Sequence, residues 1–318
     1  MNNHNIGDES TAGITAAQAP RPRPAARGGL WSGVIQSMRP AQWAKNSFVF
    51  AAIIFSGHLF EREAQLHTLL AFAALCMCAS GAYLFNDIRD REQDRNHPTK
   101  RLRPIAAGVV PVGAALGLAL GLVATGLAVA SSVNTKTGFA VAAYVALTFS
   151  YSLLLKNIVI VDVLALAAGF VLRVIVGAEA IAVEFSSWLV LCTFLLALFL
   201  ALGKRRHELV LLESNAQSHR PILGEYSPHF LDMMIAVVTA GTMMSYVLYT
   251  MDATTLARFH GNKPIYTSVF VLYGIFRYLY LIHQRRSGGN PTQIMYTDRG
   301  IQIAALLWAA SVVALRYA

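Results

Sequence analysis

The chain has 318 residues, of which 55% are hydrophobic and only 14% charged, with a mean hydropathy of +0.49. A soluble domain carries about 25% charged residues, so this composition excludes one and indicates an integral membrane protein. The formal net charge of +9 calls for no nucleic acid, because a basic cytoplasmic face and anionic lipid headgroups accommodate it.

Residues 1–30 hold Asn, Ala, Pro, Arg and Gly without apolar periodicity, and lack the apolar core of a signal peptide. They read as a disordered cytoplasmic tail. Residues 31–318 read as one polytopic transmembrane catalytic domain. Apolar runs near 46–60, 66–86, 108–131, 137–154, 158–182, 187–203, 230–251, 265–283 and 300–316 predict an all-α bundle of about nine transmembrane helices, the first of them short. Lys and Arg gather on the side of the N-terminus. The other side holds Arg62, Lys136, Arg258, Lys263 and Arg316. That bias predicts a cytoplasmic N-terminus and an outside C-terminus.

Before the first run stands Arg39-Pro40-Ala41-Gln42-Trp43-Ala44-Lys45-Asn46. Trp43 and Lys45 suit an interfacial anchor, and Lys45 and Asn46 equally suit contact with substrate phosphates. Cys76, Cys78 and Cys192 fall within predicted spans and read as small core residues. After the second span comes the densest charge in the chain, from Asn86 and Asp87 through Asp90, Asp94, Arg95, His97 and Lys100 to Arg103. Carboxylates spaced by three and four share a helix face, so Asp87, Asp90 and Asp94 are expected to converge at the membrane edge. Mg²⁺ is a natural partner for a few carboxylates plus phosphate oxygens, and the basic residues that follow suit the phosphates. His97 suits either proton transfer or a plain hydrogen bond.

The fifth span carries Asp162 and Arg173 on one face, and Glu179 further along. Intramembrane charges usually face an interior cavity, so Asp162 is expected near its mouth. Arg173 lies deeper and reads equally as the partner of an acid on a neighbouring helix. A second polar loop is expected to begin at Gly203-Lys204-Arg205-Arg206-His207-Glu208, and a third to run from His283 to Arg299. Nucleotide-binding glycine loops, HExxH and paired CxxC motifs are absent from the sequence, so any chemistry belongs to the membrane surface.

Asn86-Asp87-x-x-Asp90-x-x-x-Asp94 resembles the first Asp-rich motif of the UbiA superfamily of intramembrane prenyltransferases. The resemblance covers nearly all of the chain after about residue 35. In that superfamily the motif binds Mg²⁺ and a diphosphate, and a second acidic motif follows the sixth span. Here the second position is basic, with Glu208 its one acid. Arg39-Pro40-x-Gln42-Trp43-x-Lys45-Asn46, Asp94-Arg95-x-His97-Pro98-x-Lys100-x-x-Arg103-Pro104, Tyr151-Ser152-x-x-Leu155-Lys156 and Asp298-Arg299 are similar to the branch that transfers phosphoribose to a polyprenyl phosphate. The resemblance implies phosphoribosyl pyrophosphate as donor, a polyprenyl (decaprenyl) phosphate as acceptor, and a product that feeds cell-wall arabinan synthesis.

On that reading Asp87, Asp90 and Asp94 hold the metal against the leaving pyrophosphate, and Asp162 is a candidate to stabilise positive charge on the ribose. Lys45, Lys156, Lys204 and Arg205 are candidates for the lipid phosphate. Arg95, Lys100 and Arg103 are candidates for the ribose 5-phosphate. Asn46, Asn86, His97, Tyr151 and Glu208 complete the expected substrate-binding set. Rival readings are an aromatic or quinone prenyltransferase of the same superfamily and, more remotely, a lipid transporter using Asp162 and Arg173. Self-association into a homo-oligomer stays open.

Overall fold

A computed structural model of the chain describes residues 29–97, 99–184, 186–212, 221–259, 263–285 and 291–317. The expected disordered tail lies outside the described residues except for its last two positions. So do Pro98, Arg220, and Arg286 of the third loop.

The described secondary structure is helical throughout. In chain order it runs α1 (Leu30–Met38), a 3₁₀ helix (Pro40–Phe50), α2 (Ala51–Ser56), α3 (Arg62–Arg89), α4 (Arg91–Asn96), α5 (Val112–Val133), α6 (Thr135–Leu153) and α7 (Val161–Ala180). There follow α8 (Ser187–Leu212), α9 (Pro228–Met251), α10 (Ala253–Arg258), α11 (Ser268–His283), α12 (Pro291–Thr297) and α13 (Arg299–Tyr317). Among the described residues seven helices are long and apolar enough to cross a membrane. They are α3, α5, α7, α8, α9, α13 and α11 with the short turn before it. α6, with 19 residues, fills the expected fourth position.

The expected first span is not one α-helix. Arg39 takes a left-handed conformation (φ 55°), Pro40 restarts the chain, and eleven residues wind as a 3₁₀ helix before α2. A 3₁₀ helix rises about 2.0 Å per residue against 1.5 Å for an α-helix, so this short segment reaches about 30 Å, the depth of a bilayer core. Its tight winding is accommodated by α7. A Cβ on Gly177 would lie 2.0 Å from the Val49 carbonyl oxygen, so only glycine lets the two backbones touch.

α3 is the central post. It packs most closely on α5 and also meets α1, the 3₁₀ helix, α6 and α7. Gly81 and Gly126 make the α3–α5 approach possible, since a Cβ on either would fall within 3 Å of a carbonyl oxygen of the facing helix. At about 42 Å, α3 overruns the bilayer core and delivers Asn86 and Asp87 to the polar edge. At the opposite end the first and last segments meet. Arg316 donates to the Ser56 carbonyl at 3.1 Å and the Tyr317 hydroxyl to the Ile54 carbonyl at 3.3 Å. Large apolar residues such as Leu120, Phe139, Val237 and Leu306 stay exposed on the rim, where lipid is their solvent.

Two expectations change at this level. α3 stops at Arg89, Asp90 sits at the junction, and α4 restarts at Arg91, so the three aspartates do not ride one continuous helix. The second polar stretch is not a loop at its start: α8 continues through Gly203 to Leu212. Lys, Arg, Glu and Leu are good helix formers, and tertiary partners for the charged residues keep the helix wound.

Candidate active site

The polar end of α3 gathers charges from distant parts of the chain. Asp87 is 2% exposed and accepts hydrogen bonds from Arg39 Nη2 at 2.5 Å and Arg103 Nη1 at 3.1 Å. Arg103 Nη1 also donates to Asp94 Oδ2 at 2.7 Å, so one guanidinium bridges two buried carboxylates. Asp90 points elsewhere: it accepts from Lys156 Nζ at 3.3 Å and from Asn86 Nδ2 at 3.0 Å. The Arg39 guanidinium also lies 5.0 Å over the Tyr83 ring.

Buried carboxylates require paired charge, and here arginine and lysine supply it. Among the described residues no three His, Cys, Asp or Glu side chains are gathered closely enough to hold a metal. The donor set is nonetheless all oxygen, with Asp87 and Asp94 already sharing a cation, which is the chemistry a hard divalent ion takes.

The turn after Asp94 is shaped by residues expected to bind substrate. His97 Nδ1 accepts from the Thr99 and Lys100 amides at 3.2 and 3.3 Å. Arg95 donates to the Ala106 carbonyl at 3.2 Å and to Glu92 at 3.1 Å. Lys100 opens the short 3₁₀ turn Lys100–Leu102 beside them. His97 and Arg95 therefore fix the loop that presents Arg103.

Beyond Arg39 lies a cationic wall. Lys204, Arg173 and Arg39 all bear on the Lys45 ammonium, like charge on like. Asn46 is buried behind it: it accepts from Arg173 Nε at 2.9 Å and donates to Cys76 Sγ at 3.2 Å, so it orients Arg173 and is not open to substrate. Arg173 also donates to the Gly169 carbonyl at 2.7 Å and to the Tyr144 hydroxyl at 3.0 Å. The acid partner expected for Arg173 is absent among the described residues.

The third cluster is a relay. Asp162 is fully buried; its Oδ2 accepts from Arg205 Nε at 2.7 Å and its Oδ1 from the Tyr226 hydroxyl at 2.8 Å. Arg205 further donates to Glu208 at 2.7 Å and to the Tyr151 hydroxyl at 3.2 Å. Both Asp162 oxygens are thus committed, and Asp162 acts on the site through Arg205. Arg205 is itself 1% exposed, which removes it as a direct phosphate ligand. Lys204, on the next position of the helix, is 42% exposed at its side chain and reaches Glu208 at 3.5 Å. Arg206 pairs with Asp232, which His283 also approaches at 3.2 Å, tying α8, α9 and α11.

Three contributors were not singled out in the sequence. Arg39 was visible only as part of a motif. Arg89 donates to the Ser152 and Leu153 carbonyls and ties the end of α3 to α6. Tyr226 carries no signal at all; it lies just before α9, and its role depends on that link passing beside Asp162.

A family model described as the UbiA prenyltransferase family matches residues 47–297. The chain belongs to the UbiA prenyltransferase family. It is 34% identical to a decaprenyl-phosphate phosphoribosyltransferase of Corynebacterium glutamicum, over 91% of this chain and 88% of that protein. It is 33% identical to the enzyme of the same name from Mycolicibacterium smegmatis, over 91% and 93%. Among solved structures, a UbiA homologue from Archaeoglobus fulgidus bound to GPP and Mg²⁺ superposes with a TM-score of 0.67 at 18% identity, over 90% of this chain and all of that one. That likeness establishes the UbiA fold as an all-α membrane bundle, and the chain is a polytopic membrane protein.

Proposed function

We propose that the protein transfers 5-phosphoribose from phosphoribosyl pyrophosphate to a polyprenyl phosphate, releasing pyrophosphate and making a lipid-linked precursor of cell-wall arabinan. One observation carries the reading: where the superfamily's second acidic motif would stand, the polar end of α8 presents Lys204 beside Lys45, with Arg205 locked behind them. A basic wall facing an acidic one suits two substrates that both carry phosphate. The names of the relatives support the same chemistry.

In the reaction an acceptor phosphate oxygen bonds to the ribose anomeric carbon, and the carbon–oxygen bond to pyrophosphate breaks with its electron pair leaving on pyrophosphate. The acceptor is already anionic, so no base is required. Asp87 and Asp94 would hold a divalent cation, with Asp90 joining them only on turning from Lys156; the oxygen donors suit Mg²⁺, which when bound would neutralise charge on the leaving group. Asn86 orients Asp90. Arg39 and Arg103, now on Asp87, are in place to take up phosphate oxygens when their acid partner is otherwise satisfied. Lys156 sits across from Asp90 and closes the site on the α7 side. The Lys and Arg bias supports a plasma-membrane protein with this site cytoplasmic, the C-terminus outside.

The test is labelled transfer by purified protein in detergent. Chelation of divalent ions abolishes transfer, and Asp87→Asn and Asp90→Asn each abolish it while the protein stays folded. Full turnover after chelation, or normal turnover by both variants, contradicts the proposal. Turnover without sealed vesicles also rules out an obligatory transport role.

A further inference from the structure

Arg173 is an intramembrane charge on α7 that the mechanism above leaves unused. It is 7% exposed, and every acceptor it meets is neutral: Asn46 Oδ1, the Gly169 carbonyl and the Tyr144 hydroxyl. Its guanidinium lies over the rings of Tyr144 and Phe170, at 4.8 and 4.9 Å from their centroids. Ring faces and hydrogen bonds offset part of the cost of burying the charge but leave it in place. Intramembrane charges pair with one another or with backbone carbonyls; Arg173 has the Gly169 carbonyl and, among the described residues, no acid.

Arg173 acts on Lys45 of the 3₁₀ helix, and Lys204 of α8 and Arg39 after α1 act on the same ammonium, so the charges that meet at Lys45 are all positive. Of these cations Arg39 pairs with Asp87, and Lys204 pairs with Glu208 at 3.5 Å. Lys45 has no hydrogen-bond partner among the described residues. The region between the 3₁₀ helix, α7 and α8 therefore holds excess positive potential in a low-dielectric setting, where an incoming anion is worth most. A neutral acceptor would leave these charges unanswered.

We propose that Arg173 is a positioning residue that, through Lys45 and Asn46, makes this region a subsite for the phosphate monoester of a lipid acceptor and discriminates against uncharged or aromatic acceptors. The inference rests on the proposed reaction for the identity of the acceptor, but its geometry stands without turnover. Asn46 couples the two parts: it follows Lys45 in the chain and accepts from Arg173 Nε, so the 3₁₀ helix is held in register with α7.

Direct binding to the full chain in detergent tests this, with farnesyl phosphate, farnesol, inorganic phosphate and phosphoribosyl pyrophosphate as separate probes. The wild type is expected to prefer farnesyl phosphate to farnesol. Arg173→Gln should cut that preference roughly tenfold or more, as expected for losing a charge that faces a desolvated anion. Arg173→Lys should retain most of the preference, and affinity for phosphoribosyl pyrophosphate should not move in either variant. Equal loss in Gln and Lys variants, an unchanged preference, or a parallel loss for phosphoribosyl pyrophosphate overturns the proposal; a parallel loss for inorganic phosphate agrees with it. If Arg173→Gln does not fold, Arg173→Lys decides alone: a retained preference supports the charge, and a lost one or an unfolded protein contradicts it. Wild-type protein that shows the preference yet transfers no phosphoribose would leave this subsite standing and remove the proposed function.

Discussion

Lys204 and Arg205 are neighbours on α8 with opposite surroundings, and their alanine variants should separate cleanly. Arg205 is enclosed by Asp162, Glu208 and Tyr151. Arg205→Ala leaves Asp162 as an uncompensated buried charge, so it should destabilise the fold by roughly 3–5 kcal/mol. A thermal melt of purified protein reads that loss before any kinetics. Lys204 is partly exposed, so Lys204→Ala should leave the melt unchanged and weaken substrate affinity by roughly 1.5 kcal/mol, the low end for a hydrogen bond to a charged group. Equal melts for the two variants would contradict this division. At this scale the sequence was informative where charges crowd together. Asp87, Asp90 and Asp94 were legible because their spacing is local. Their cations were harder to foresee, since Arg39 lies 48 residues from Asp87 and Lys156 lies 66 residues from Asp90. Tyr226 was invisible for the same reason.

At the scale of elements the site depends on two departures from a regular helix. The first is the 3₁₀ helix, seated on α7 at Gly177. Gly177→Ala places a methyl within 2.0 Å of a carbonyl oxygen, so it should displace the segment that carries Lys45 and cost roughly 1–3 kcal/mol. Gly117→Ala on α5 meets nothing within 4 Å and should be neutral or stabilising by up to about 1 kcal/mol. Melting both variants tests whether close approach, and not glycine as such, is what Gly177 provides. The second departure is the entry to α7. Ile160 has φ 68° and ψ −45°, with the Val161 amide bonded to the Val159 carbonyl at 2.8 Å, the rare form of γ-turn. The Ile160 amide donates to the Tyr226 hydroxyl at 2.7 Å, and that hydroxyl donates to Asp162, so the strained turn and the Arg205 relay share one anchor. Apolar periodicity located most spans to within a few residues because lipid imposes it. It missed the end of α3, the 3₁₀ winding and the extension of α8, because none of these is a matter of hydropathy: they follow from backbone closeness, a proline and tertiary charge pairs.

At the scale of the whole molecule the bundle puts acids and bases on facing walls at one edge. α3 supplies the acidic wall. The 3₁₀ helix and α8 supply the basic one, and the link before α7 closes the site with Lys156. The UbiA fold was legible from composition and one motif; the choice of substrate turns on the charge of the second wall. The decisive measurement offers purified protein two donors side by side in Mg²⁺: labelled phosphoribosyl pyrophosphate with a polyprenyl phosphate, and a labelled prenyl diphosphate with an aromatic acid. The proposed function requires phosphoribose label in the lipid fraction with one pyrophosphate released per transfer, and no prenylated aromatic product. Prenyl label on the aromatic acid, with none moving from phosphoribosyl pyrophosphate, would contradict it.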